Sequence, residues 1–115
     1  MIKLKIAEHV PYPGGRYIND GPYSGEWFRN SILRPLLDQA ISNNDTLVVD
    51  LDDVPGYGIS FLEEGFGGLI RYDNYDYQKL LKHLKVVSSS HKYESYERIS
   101  NNVLSNAEKI KQAGL

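Results

Sequence analysis

Ile2, Leu4 and Ile6 alternate with Lys3 and Lys5, the period of a half-buried strand. Pro11-Tyr-Pro-Gly-Gly-Arg16 then breaks regular structure, and Asn19-Asp-Gly-Pro22 marks a second turn. Arg16–Ile18 between them reads as a short strand, giving a hairpin over residues 2–20. Ser24 is a good helix N-cap, and Glu26 follows in the first turn, where its charge suits the helix dipole. Trp27, Phe28, Ile32, Leu33, Leu36, Leu37, Ala40 and Ile41 recur at helical spacing and predict an amphipathic helix over 25–42. Pro35 withholds an N–H from Ser31 and predicts a kink.

Thr46-Leu-Val-Val-Asp-Leu51 has the composition of a central parallel strand covered on both faces. After the loop Pro55-Gly-Tyr-Gly58, Ser60-Phe-Leu-Glu63 reads as a capping box opening a helix from about Phe61 to Arg71. Leu80, Leu81 and Leu84 suggest a short helix and Lys85–Ser88 a strand. Tyr93–Gln112 predicts a final helix, its inner face carrying Tyr96, Ile99, Val103, Leu104, Ala107 and Ile110. This strand–helix alternation predicts an α/β sheet with right-handed crossovers. Function in such sheets sits where strands end and helices begin, here Asp50 to Glu64.

With 115 residues the expectation is one domain spanning 1–115. A net charge of −2 and a pI near 5.9 give no electrostatic footprint for nucleic acid. The absence of cysteine excludes disulfides and sulfur-ligated metal. No apolar run approaches a membrane span and the N-terminus lacks a signal-peptide core, so no membrane partner and a cytoplasmic location are expected.

The segment Asp50 to Leu62 resembles the loop of STAS domains, the group of sulfate transporters and anti-sigma-factor antagonists. A wider match, in chain order, is to the STAS-like family of bacteria and phages. It rests on Gly14-Gly15-Arg16, Ser24-Gly25-Glu26, Val49-Asp50-Leu51, Gly56-Tyr57-Gly58 and Phe66-Gly67-Gly68-Leu69. The resemblance implies a STAS-like mixed sheet with helices. It also implies a regulatory module that binds a protein partner, a histidine-kinase-like ATPase among the candidates, and is not itself an enzyme. In the antagonists a serine at this helix start is phosphorylated. Ile59 stands at that position and Ser60 at the next, so Ser60 is read either as a structural cap or as the phosphosite. Glu63 and Glu64 would repel a phosphate there.

Gly65, Gly67 and Gly68 each cost about 1 kcal/mol inside a helix, so something must approach them closely. Either the helix packs tightly on its own domain, or it offers a flat surface to a partner or a second copy. The docking surface expected on the second reading is Tyr57, Gly58, Ser60, Glu64, Gly65 and Gly68. Arg16 is a candidate anion contact, or else pairs with Glu26 or Asp50. The tyrosines of Arg71–Tyr77 read as interface or as core cover. Asp50, Asp52, Asp53, Glu63 and Glu64 form an acidic group without a nearby histidine, and no metal, cofactor or catalytic residue is assigned. A small nucleotide- or anion-binding protein or enzyme, its site at Arg16, Glu26 and the Asp50–Ser60 loop, is the alternative. Any oligomer is expected at the exposed edge of the sheet.

Overall fold

The alternating N-terminus forms β1 (Ile2–Lys5), which pairs in parallel with β2 (Leu47–Asp50), itself parallel to β3 (Leu84–Val87). The computed structural model describes residues 1–114. The sheet order is β1-β2-β3. Every pairing is parallel, so the sheet lacks the antiparallel strand of a mixed one. The expected hairpin is absent: Ile6–Glu8 and Ile18–Asp20 are 3₁₀ turns, and Arg16–Ile18 forms no strand. Gly-Gly and Asn-Asp-Gly turns keep that segment irregular and leave β1 free to take the long route to β2.

The first helix runs over 25–42 as α1 (Gly25–Phe28), a π-turn (Arg29–Leu33) and α2 (Arg34–Ser42). Ser24 caps it, its Oγ accepting from the Trp27 N–H at 3.1 Å. Pro35 acts through the π-turn: the widened turn just upstream accommodates the ring that would clash with a regular helical carbonyl. A second helix over 59–71 repeats the pattern, with α3 (Ile59–Leu62), a π-turn (Glu63–Gly67) and α4 (Gly68–Arg71). Asp76 caps α5 (Tyr77–His83), and α6 (Glu94–Gln112) closes the chain.

Side chains alternate across a strand. Leu4, Leu47, Val49, Leu84 and Val86 point into a core completed by Phe28, Leu33, Leu37, Phe61, Phe66 and Leu69 from the helices. The other face of the sheet, with Val48 on its central strand and Val87 on the edge strand β3, is only half-buried. The expectation that β2 is covered on both faces is therefore corrected: helices cover one. On α6, Leu104 and Ala107 are buried as expected, but Ile110 is 49% exposed because the helix has run past the core. No helix among the described residues is long and apolar enough to cross a membrane.

Candidate functional site

The start of helix 59–71 is where loop 11–23 meets the second strand–helix connection. Backbone bonds fix this meeting: the Gly58 N–H donates to the Pro13 carbonyl, and the Gly25 and Glu26 N–H groups donate to Gly15 and Arg16. A Cβ on Gly58 would lie 3.0 Å from the Gly14 carbonyl oxygen, so glycine allows the two loops to touch. Arg16 is thereby delivered to the helix. Its Nη2 lies 3.1 Å from Glu63 Oε1 and, at the outer limit of a hydrogen bond, 3.5 Å from Ser60 Oγ. Its Nη1 faces Glu64 Oε1 at 3.8 Å.

Behind Arg16 the charges continue into the interior. Arg29 bridges the two π-turns: its Nη1 donates to Glu64 Oε2 at 2.8 Å and to the Glu64 carbonyl, while its Nε lies 2.9 Å from Asp73 Oδ2. Arg29 and Glu64 are 4% and 2% exposed, so each is the other's main counterion in a low-dielectric setting. Arg34 Nη1 adds a longer contact to Asp73 at 3.4 Å. The Arg29 guanidinium also lies across Gly68, where a Cβ would come within 2.6 Å of its Cζ. Gly65 faces the Phe28 ring at 3.3 Å from where its Cβ would be, and Gly25 faces the Phe61 carbonyl at 2.5 Å. The two glycine-bearing helices therefore cross in close contact, locked by one buried ion pair.

The family model for a STAS-like domain of unknown function (DUF4325) matches residues 24–94, well over half of the chain. The chain belongs to this family. Neither the curated proteins nor the solved structures give a match.

The geometry of this STAS-like domain redraws the surface expected from sequence. Glu64, Gly65 and Gly68 are buried under helix 25–42, so they cannot face a partner; the close approach that the glycines require comes from Phe28 and Arg29. Tyr57 is 6% exposed, its hydroxyl donating to the Leu51 carbonyl at 2.7 Å, and belongs to the core. Burial, with a smaller effect from nearby Tyr93, holds the Tyr57 hydroxyl well above its ordinary ionisation range.

Ser60 is not the N-cap. Gly58 takes that place in an extended conformation, its carbonyl accepting from Leu62, and Ser60 sits within the first turn. The helix can start earlier because Gly58 meets Pro13 and Gly14 without steric conflict. Arg16 pairs with Glu63 and not with Glu26 or Asp50. Glu26 Oε1 accepts from the Ile18 N–H at 2.9 Å, and Asp50 Oδ1 accepts from the Asp52 N–H at 2.8 Å. The alternative site is thus dispersed. Hollows of about 500 and 410 Å³ lie on the open sheet face and between residues 70–74 and α6, and neither includes Arg16 or Glu26.

What remains exposed at this end is Tyr12, Tyr17, Ile18 and Ile59, four of the eight large hydrophobics exposed among the described residues. Tyr12 stacks edge-on to Tyr23, which stacks on Trp27, so the patch rests on an ordered aromatic base. Sequence reading passed over Ile59 as a substituted serine and missed Arg29 altogether. A signal for Arg29 existed: four residues after Gly25 and four before Leu33, it falls on the apolar stripe of its helix.

Proposed function

We propose that this chain is a regulatory protein-binding module without catalysis of its own, of the kind the anti-sigma-factor antagonists represent. It docks its partner with the end that carries Ile59, Tyr12, Tyr17 and Ile18, edged by Arg16, Ser60 and Glu63. The observation that supports the reading is that four of the eight exposed large hydrophobics among the described residues fall at the start of helix 59–71 and in the loop 11–23 that meets it. An apolar centre with aromatic side chains and a polar rim is the anatomy of a protein interface. A histidine-kinase-like ATPase is the first partner to test. Ser60 is the hydroxyl on which modification would act, with Arg16 exchanging Glu63 for phosphate.

The test is capture from the native host by the wild-type chain and by Ile59→Asp. Ile59 is 57% exposed, so the variant should keep its circular dichroism and melting temperature. Wild type should retain a histidine-kinase-like ATPase and Ile59→Asp should lose it by roughly tenfold or more, since a central anchor carries much of an interface. Equal retention by both, or none by either, refutes the reading. Mass spectrometry of the Ser60 peptide from the same host shows whether phosphate is attached.

A further inference from the structure

The larger hollow, on the open sheet face, brings Lys3 and Lys5 together with Glu8 and Asp50 and so favours neither sign of charge. The smaller one, of about 410 Å³ between residues 70–74 and α6, is different in kind. Its base is apolar, with Ile70 and Ala107 only 0% and 2% exposed. Tyr72 and Ile110 also line it, and both belong to the large hydrophobics left exposed. The Tyr72 ring is steadied by the Arg29 and Arg71 guanidiniums, which lie against it at 5.5 and 5.7 Å from its centroid.

The charge in this hollow has one sign. Arg71 and Lys111 line it, and no carboxylate of the described residues does. Neither cation forms an ion pair among the described residues. The acids beside them in the chain are engaged elsewhere: Asp73 with Arg29 and Arg34, and Glu108 with the Gln112 side chain. Arg71 donates one N–H to the Glu63 carbonyl, and a guanidinium has five. In a chain of net charge −2, an apolar recess with two cations and no acid is a local reversal of sign. A lysine in the last turn of a helix also suits the helix dipole. Lys109 in the same turn suits it equally, yet lines no part of the hollow.

We propose that this hollow binds a carboxylate carried on an apolar body about the size of one large side chain. The body covers Tyr72 and Ile110, and the carboxylate lies between Arg71 and Lys111. The volume falls at the lower end of the range for small-molecule sites. A free small acid and the C-terminal residue of a protein chain both carry this chemistry. The site shares no residue with the docking end proposed above and does not depend on that reading.

The test is an amide NMR titration of the full chain with N-acetyl-L-phenylalanine in about 0.15 M salt, where exposed charges beyond about 8 Å are screened. Saturable shifts should centre on residues 70–74 and 107–111, with a Kd on the order of 1 mM for so small a ligand. N-acetyl-L-phenylalaninamide has the same body without the charge and should bind at least about tenfold more weakly. Lys111→Glu should weaken binding roughly tenfold. Lys109→Glu, about 200° round the helix, should stay within about twofold of wild type. Both lysines are exposed, so both variants should fold normally. Phenylpropionate separates the two sources: binding equal to that of N-acetyl-L-phenylalanine assigns a free acid, and clearly weaker binding assigns a chain terminus. Absence of saturable shifts, shifts centred elsewhere, equal binding of the amide, or equal behaviour of the two lysine variants would each overturn the proposal.

Discussion

Gly68→Ala adds one methyl group where the Arg29 guanidinium already lies, with Cζ 2.6 Å and Nε 3.0 Å from the new carbon. An exposed arginine would swing aside, but Arg29 is held by Glu64 and Asp73 in the interior. Moving it separates a buried ion pair, which costs about 3–5 kcal/mol when one partner is lost. Alanine returns about 1 kcal/mol of helix propensity, leaving a net loss of about 2–4 kcal/mol. For a domain of this size that lowers the melting temperature by roughly 10 °C or more.

Gly67→Ala, one residue away, is the control. Its Cβ would meet the Arg71 guanidinium at 2.5 Å, but Arg71 is exposed and held there by a 2.7 Å bond to the Glu63 carbonyl and by its place over the exposed Tyr72 ring. Losing that bond costs about 1 kcal/mol, and the propensity gain offsets it. Urea denaturation followed by circular dichroism should therefore place Gly67→Ala within about 1 kcal/mol of wild type and Gly68→Ala at least about 2 kcal/mol below Gly67→Ala. Equal midpoints for the two variants would refute the assignment of Gly68 to the Arg29 lock.

Tyr57→Phe should lose about 1–2 kcal/mol by stranding the Leu51 carbonyl. Because burial already keeps the Tyr57 hydroxyl protonated, the variant should show the same tyrosinate absorbance as wild type near pH 10, provided both remain folded. A smaller absorbance step would contradict its burial. Asp45 accepts from the N-terminal ammonium and then from the Thr46 N–H, and both lower its carboxyl below the ordinary range. A lowered folded value contributes stability above the usual carboxylate range, lost as pH falls through the lowered value. Asp45→Asn should thus show a shallower fall in melting temperature on acidification; identical acid limbs would dismiss the pairing.

Periodicity made the architecture legible where side chains report directly on burial. The strands at Ile2–Lys5 and Leu47–Asp50, the Ser24 cap and the long helices all follow from it. Two features were not legible. Whether β2 has one cover or two depends on elements from distant parts of the chain, and Val48 looks the same in either case. The glycines announced a close approach, but proximity has no direction in a sequence. The approaching groups, Phe28 and Arg29, come from a helix more than thirty residues upstream. Ser60 satisfied the local pattern of a capping box, yet a contact with Pro13 and Gly14 moved the helix start to Gly58. There a tertiary contact overrode local preference.

The lock at the crossing of the two π-turns bears on how a signal could travel. Each residue of helix adds about 1.5 Å of rise and turns the next side chain by roughly 100°. A slip of helix 59–71 by a single residue along helix 25–42 would leave Glu64 without its counterion and drive side chains into the space the glycines keep clear. Gradual shear between these helices is thereby closed off. On the docking proposed above, a partner seated at Ile59 would meet a stiff anvil, and information at that end would be carried by what the surface displays and not by how the body bends.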